Sequence, residues 1–200
     1  MTKKRLWVLF AALSTLTGLY PILYLLVDRR FGLLSTKSEA LLANTAWNIG
    51  FYTHIFLAGL ALLVGWAQFS SKWRHRNPIW HRRIGKVYVV SALPSAVAGI
   101  GIGWFATGGI VAAAGFIVLG LIWFYTTLKA YLHIKNGQVE QHQKMMTYSY
   151  AACFAGVALR LWLPILSLLF GNFITAYIIV AWLCWVPNLF VAHQIVKRQP

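Results

Sequence analysis

Six long apolar runs alternate with short polar segments along the chain. Each run has roughly the 20 residues that a helix needs to cross a hydrocarbon layer about 30 Å thick. The runs lack the alternation of polar and apolar residues that barrel strands show, and backbone groups in lipid must bond within their own segment. The pattern therefore predicts an all-α membrane protein, a single domain over residues 1–200. The predicted spans are Leu6–Val27, Ile49–Phe69, Val87–Phe105, Ile110–Leu132, Met145–Phe170 and Phe173–Ala192.

The composition supports a membrane location. Hydrophobic residues make up 60% of the 200 residues and charged residues only 10%, whereas an ordinary soluble domain is about 25% charged. A chain of this length could not enclose so much apolar surface in water. The excess of 18 Lys and Arg over 3 Asp and Glu lies between the apolar runs. This distribution favours contact with anionic lipid headgroups and disfavours a nucleic-acid partner.

The basic residues also predict the orientation of the spans. If the N-terminus is cytoplasmic, fourteen Lys and Arg residues lie on that side and three, Arg29, Arg30 and Lys37, lie on the other. Such a positive-inside bias predicts that both termini are cytoplasmic. We therefore expect a multi-pass protein of a bacterial inner membrane. The external segment 28–47 contains SEALLANTAW, which predicts a short helix on the membrane surface.

The chain offers few groups for acid–base or metal chemistry. Asp28, Glu39 and Glu140 are its only carboxylates, and all three lie in loops or at helix ends. This disfavours a proton-coupled transporter, which usually keeps an acidic residue at membrane depth, and a magnesium-dependent enzyme. Motifs of hydrolases and nucleotide-driven proteins are absent as well. Cys153 and Cys184 lie inside apolar runs, which predicts buried free thiols. Enzymatic activity is left open.

Histidine provides the clearest candidate chemistry. Five of the six histidines map to the cytoplasmic rim, whereas His54 lies within the second span. Asn77 can cap a helix and Pro78 suits its first turn, so the third helix is expected to begin before the hydrocarbon and to carry His81. A new helix after the polar loop that follows span four would carry His142 in its first turns. Two histidines are thus expected at comparable height on helices that enter from the same side.

His81 and His142 are the preferred pair of cofactor ligands. A haem or metal ion that bridges two helices requires this geometry, and haem b is the favoured group. Copper held by His142 with Met145 or Met146 is a smaller alternative, since imidazole and thioether together suit Cu(I). The competing interpretation is that the rim histidines contact lipid phosphates.

Arg160 is the second candidate, because a charge within a span costs at least ~2.5–3.5 kcal/mol on insertion scales. Helical geometry puts it roughly 15 Å from the external end of its helix, and His54 roughly 8–10 Å deep from the same face. The two are expected to meet and to bind a quinone or a haem propionate. A second bis-histidine haem is excluded there, since only His54 is available. Arg160 snorkelling to the interface is the alternative, although Pro164 predicts a kink that exposes backbone carbonyls to it.

Three stretches of the chain resemble an uncharacterised family of bacterial membrane proteins, domain of unknown function 2306. They are THIFLAGLALLVGWAQF around His54, WHRRIGKVYV around His81, and HQKMMTYSYAACFAGVALRLWLP from His142 to Pro164. The likeness covers about residues 50–170 and includes Arg160. It implies a multi-span membrane protein and no particular activity.

The first functional hypothesis is therefore a membrane protein that holds a haem or metal through histidines and transfers electrons, with a quinone or another redox molecule as partner. A second is a non-catalytic assembly subunit whose basic rim binds anionic lipid or a partner protein. A third is a transporter for a small organic anion, with His54 and Arg160 as its site. A homo-oligomer is left open.

Overall fold

The computed structural model describes residues 3–28 and 30–198, so Arg29 of the basic count lies outside the described residues. Six helical segments in this part of the chain are long and apolar enough to cross a membrane, which confirms the predicted number and order of spans. They are span 1, Lys4–Leu26; span 2, Thr45–Phe69; span 3, Pro78–Gly103; span 4, Gly109–Lys135; span 5, Val139–Phe170; and span 6, Phe173–Lys197.

Only spans 3 and 4 are single uninterrupted α-helices. Each of the others consists of shorter helices that follow one another, and three short helices lie between spans. Span 1 comprises Lys3–Leu19, the 3-10 turn Tyr20–Ile22 and Leu23–Leu26; span 2 comprises Thr45–Gly65 and the 3-10 turn Trp66–Phe69; span 5 comprises Val139–Cys153 and Ala155–Phe170; span 6 comprises Phe173–Leu183 and Val186–Lys197; and the short helices are Gly32–Thr36, Glu39–Ala43 and Ser71–Arg76.

The predictions of helix starts and breaks are partly correct. Span 3 begins at Pro78, as expected, but the side chain of Asn77 makes no capping hydrogen bond. Span 5 is interrupted at Phe154, whereas Pro164 lies inside the helix Ala155–Phe170. The kink predicted at Pro164 stays a prediction, since the helix continues through this residue. The expected short helix between spans 1 and 2 is confirmed as Glu39–Ala43.

Consecutive spans run in opposite directions and pack side by side. Span 3 packs between spans 2 and 4, and span 5 packs against span 4 and also touches span 2. Spans 3 and 5 therefore run in the same direction and face each other across a bundle of spans 2–5. We call the end that carries residues 4–5, 70–86, 129–144 and 197–198 the basic end. The opposite end, with residues 27–28, 30–44, 104–108 and 171–172, is the loop end.

The outer surface of the bundle is apolar. Leu168 is 86% exposed and Ile110 is 80% exposed, and many other large apolar side chains point outward. Water would strongly disfavour such a surface, whereas lipid accepts it. Inside, the helices approach closely at small residues, and a Cβ atom at Gly59 of span 2 would lie 2.6 Å from the carbonyl oxygen of Gly18 in span 1. The contact requires glycine, because it is with backbone that cannot move aside.

The segment between spans 1 and 2 is fastened to the hairpin between spans 3 and 4. The hydroxyl groups of Thr36 and Thr107 lie 2.9 Å apart, and the Lys37 ammonium donates to the Phe105 carbonyl at 2.5 Å and to the Thr107 hydroxyl at 2.9 Å. Leu34, in the same segment, is only 2% exposed. These contacts close the loop end of the bundle over its interior.

Candidate functional site

A buried hydrogen bond fixes the register between spans 3 and 5. The hydroxyl groups of Tyr88 and Ser149 lie 2.8 Å apart at the bundle centre, where Tyr88 is fully buried. His81 precedes Tyr88 by seven residues, and His142 precedes Ser149 by seven. Seven residues are about two turns of helix. His81 therefore lies on the same helix face as Tyr88, and His142 on the same face as Ser149, each about 10 Å nearer the basic end. The two histidines therefore lie at about the same level on spans 3 and 5, within electrostatic range of each other.

The hydrogen bonds of the two histidine rings differ. The Nδ1 atom of His142 donates to the carbonyl of Ala130 at 2.9 Å, which leaves Nε2 with its lone pair in the neutral ring. The Nδ1 atom of His81 is buried and has no hydrogen-bond partner among the described residues. The two rings are also within electrostatic range of each other. Buried polar groups without partners are uncommon, and such groups indicate where water, an ion or a ligand belongs.

Three further residues complete the surroundings of this pair. Arg74, on the short helix Ser71–Arg76, is half-buried and within electrostatic range of both His81 and His142. Gln68 is 7% exposed, and neither polar atom of its amide has a partner. A Cβ atom at Gly85, one turn after His81, would meet only the Gln68 oxygen, at 3.8 Å. Unpaired polar atoms of Gln68 therefore lie close to the helix turn that follows His81.

The two methionines near His142 differ in their surroundings. Met146 lies one turn after His142 and packs against the buried cluster that contains Tyr88 and Tyr150. Met145 is half-buried. In the part of the chain that the structure describes, no three His, Cys, Asp or Glu side chains come together as a metal-binding group would require. A bare ion at this position would therefore depend on two imidazoles and on thioether sulfur.

The loop end contains a different kind of site, a cavity of about 780 Å³. Its walls are mostly apolar and come from all six spans and from the segment that closes the loop end. His54 and Arg160 both line it, and they lie within electrostatic range of each other. The cavity thus brings together the two residues that the sequence analysis expected to meet. Its remaining polar or charged lining includes Tyr20, Tyr24 and Lys37.

His54 is held firmly in this cavity wall. Its Nδ1 atom donates to the carbonyl of Ser95 at 2.9 Å, and the Ser95 hydroxyl donates to the carbonyl of His54 at 2.9 Å. A Cβ atom at Gly99 would lie 2.8 Å from His54 Nδ1, so the ring fits only because span 3 has glycine there. The bond to Ser95 leaves Nε2 as the free acceptor of the neutral ring.

Arg160 has unusually few partners for a charged side chain inside a bundle. One terminal nitrogen donates to the carbonyl of Gly156 at 2.9 Å, and the guanidinium lies 4.4 Å from the ring centre of Tyr20. Its Nε atom is buried and has no hydrogen-bond partner in the part of the chain that the structure describes. This carbonyl belongs to the preceding turn of the same helix, four residues before Arg160.

The carboxylates of the chain are engaged elsewhere. Glu39 pairs with Arg30, and Glu140 pairs with Lys144. Asp28 accepts a hydrogen bond from the backbone of Arg30 at 2.8 Å. Arg160 therefore has no anionic partner among the described residues. Lys37 brings a second cation to the cavity from the loop end, where burial lowers the pKa of its ammonium.

The remaining histidines make contacts that account for them locally. At the basic end, His75 donates from Nδ1 to the carbonyl of Ser71 at 2.7 Å. Tyr148 and His193 form a hydrogen bond of 2.8 Å between spans 5 and 6. His133 contacts the amide oxygen of Gln138 at 2.5 Å across the turn between spans 4 and 5.

Sequence reasoning missed several members of both sites. Arg74 was counted only as a topology signal, and Gln68 and Tyr20 were not singled out. Gln68 could have been identified from the sequence, because a polar amide within an apolar run usually has a hydrogen-bond partner or a function. Tyr20 could not be found in this way, because its position beside Arg160 depends on how spans 1 and 5 cross.

Comparison with protein families adds one finding. The family model described as "Predicted membrane protein (DUF2306)" matches residues 51–196, which is well over half of the chain. The matched region contains His54, His81, His142 and Arg160. Comparisons with curated proteins and with solved structures give no significant match. With six apolar spans and this match, the chain is a multi-pass membrane protein that belongs to the DUF2306 family.

Proposed function

We propose that the protein holds haem b between spans 3 and 5 at the basic end and transfers electrons through it. The matched register of the two spans supports this proposal, because it puts His81 and His142 at about the same level and within electrostatic range of each other. His81 and His142 would hold the haem iron through their imidazole nitrogens, as histidines on two helices of a bundle can do.

Haem fits the donor set better than a bare metal ion does. The described residues offer no third His, Cys, Asp or Glu ligand for a bare ion. Haem itself supplies the equatorial nitrogens of its iron and requires only two imidazoles from the protein. Copper bound by His142 and Met146, one helical turn apart, is the smaller alternative.

The surroundings of the pair support a bound group with negative charge at its edge. Arg74 lies within electrostatic range of both histidines, so it can pair with a propionate. The unpaired amide of Gln68 and the unpaired Nδ1 of His81 would gain partners from a bound group or from its water. A haem held in this way would supply one-electron redox chemistry, which suits electron transfer.

The membrane setting follows from the charge distribution. The basic end is expected to face the cytoplasm, because Lys and Arg accumulate on that side of inner-membrane proteins. The haem would then lie near the cytoplasmic face of a bacterial inner membrane. Its basic rim would contact anionic headgroups, and its redox partner would be a quinone or another electron carrier.

An absorption spectrum tests the proposal. Protein purified in mild detergent, from cells supplied with iron and a haem precursor, is expected to show a Soret band that shifts on reduction. His81→Ala and His142→Ala are each expected to lose that band, because each removes one axial ligand. His133→Ala is the matched control, since this histidine lies at the same end but contacts Gln138. It is expected to keep the band.

The result that contradicts the proposal is a colourless preparation that is helical, monodisperse and unable to take up added haem. Copper found in such a preparation, and lost in His142→Ala, would favour the copper alternative. A protein without metal would favour the non-catalytic subunit that binds anionic lipid or a partner protein through its basic rim.

A further inference from the structure

The cavity at the loop end is a second binding site, separate from the proposed haem. Neither His81 nor His142 lines it. Its volume of about 780 Å³ falls within the range of roughly 300–1,000 Å³ that small-molecule sites span. Its lining is largely apolar, with a few polar groups gathered around Arg160. This combination is typical of a site for a molecule that has an apolar body and one polar head.

The charge of Arg160 determines the kind of head. The guanidinium contacts one backbone carbonyl and the face of one aromatic ring, and its Nε atom has no hydrogen-bond partner. The three carboxylates of the chain interact with Arg30 or Lys144. A buried charge without a counter-ion is strongly unfavourable in a low-dielectric interior. A ligand that carries a negative charge would remove this cost, whereas a neutral quinone would not.

Nearby groups suit a carboxylate in particular. A carboxylate has two oxygens and can accept hydrogen bonds from two guanidinium nitrogens at once. The partnerless Nε of Arg160 is available for one of these bonds. Lys37 adds a second positive charge at the cavity wall nearer the loop end. A whole diacyl phospholipid is larger than this cavity, so a single-chain molecule fits better.

We propose that the loop-end cavity binds a long-chain carboxylate of the fatty-acid type, with its head on Arg160 and its chain along the apolar wall. The ligand neutralises Arg160, and its hydrocarbon chain fills space that the side chains of the bundle leave open. His54, fixed by its bonds to Ser95, lies within electrostatic range of Arg160 and therefore near the expected position of the head.

Binding of oleate to the full chain in phosphatidylcholine nanodiscs tests this. Carboxyl-labelled oleate is expected to bind saturably, beyond the amount that enters empty nanodiscs. Arg160→Gln is expected to weaken binding by about tenfold or more, because it removes the only charge that faces the head inside a span. Arg160→Lys is expected to retain part of the affinity. Arg82→Gln is the matched control, because Arg82 is an exposed cation at the basic end.

A second variant leaves the charges in place. Ala58 lines the cavity one turn after His54, and Ala58→Leu puts a larger apolar side chain into the space for the ligand. It is expected to reduce oleate binding as well. Ala58→Leu keeps Arg160. Loss of oleate binding in this variant as well would show that binding requires the space in the cavity and not only the charge of Arg160.

Three outcomes would overturn the proposal. Oleate uptake that does not saturate would mean simple partitioning into lipid. Equal affinity for oleyl alcohol, or for a short-chain quinone, would mean that the charge of the head is irrelevant. Unchanged affinity in folded Arg160→Gln protein would remove the arginine from the site. The same measurements on His142→Ala protein separate this proposal from the haem proposal. The cavity is expected to bind oleate in that variant even though the haem ligand is missing.

Discussion

The two ends of the bundle use histidine in contrasting ways. At the basic end, His81 and His142 come from parallel spans, and unpaired polar atoms of Gln68 lie close to the helix turn that follows His81. At the loop end, His54 is tied to Ser95 through its ring and its backbone, and it lines a cavity that is mostly apolar. The comparison shows that the unpaired groups around a histidine in a membrane span indicate the kind of ligand that it can bind. Two imidazoles at the same level suit a shared metal centre, whereas one imidazole beside an unpaired guanidinium suits an anion.

The largest expected effect is that a substitution at each end changes the measurement for that end and leaves the other unchanged. His142→Ala is expected to abolish the Soret band and to leave oleate affinity unchanged. Arg160→Gln is expected to keep the Soret band and to lose oleate affinity by about tenfold or more. Absorption spectra and oleate titrations of the same preparations check both. If either variant changed both readouts in folded protein, the two ends would be one coupled site and the comparison would fail.

Displacing His54 should give an intermediate effect that is confined to the loop end. A Cβ atom at Gly99 would lie 2.8 Å from His54 Nδ1, so Gly99→Ala is expected to move the ring and weaken oleate binding by roughly threefold to tenfold, less than loss of the arginine charge. Gly101→Ala is the control on the same helix, because a Cβ atom there meets nothing within 4 Å. Equal affinities for the two alanine variants would show that the position of His54 is unimportant.

Loosening the register between spans 3 and 5 should affect stability more than binding. Tyr88→Phe removes a hydroxyl that bonds Ser149 and accepts from Trp123 Nε1 at 3.3 Å. Interhelical hydrogen bonds of this kind are worth about 0.6–1.7 kcal/mol in membrane proteins. A small fall in thermal stability is therefore expected, with the Soret band retained at low temperature. Tyr125→Phe, at a tyrosine that is 57% exposed, is the control and should show no fall.

The smallest expected effect concerns the closure of the loop end. Thr107→Val removes the hydroxyl that contacts both Thr36 and Lys37. Since the Lys37 ammonium still donates to the Phe105 carbonyl, the segment stays in place and only faster exchange of oleate is expected, by about twofold to fivefold. Stopped-flow displacement of labelled oleate measures this rate. A rate identical to that of the unmodified chain would show that these contacts do not limit ligand access.

Much of the fold could be predicted because membrane spans leave a direct record in the sequence. Length and hydropathy were sufficient for six spans, and the asymmetric placement of Lys and Arg was sufficient to distinguish the two ends. Helical rise alone correctly anticipated that His54 and Arg160 would come together. These properties depend on one segment at a time or on simple counting along it.

The remaining features depend on how segments cross, and a single sequence does not encode that in a readable pattern. A kink was predicted at Pro164, whereas the interruption of span 5 at Phe154, between two successive helices, was not anticipated. The cavity was not anticipated, because its volume depends on gaps left by side chains from six spans. The proximity of Arg74 to both ligands of the proposed haem depends on the path of the short helix Ser71–Arg76.

The axial ligands of a bound haem test the central claim most directly. Near-infrared magnetic circular dichroism of the oxidised, purified protein identifies the pair of axial ligands from the energy of a charge-transfer band. Convergence of His81 and His142 predicts the band of a low-spin iron with two imidazoles, and its replacement by a different spectrum when either histidine is changed. A spectrum with one imidazole or none, or the same bis-imidazole band in folded His81→Ala protein, would contradict the account.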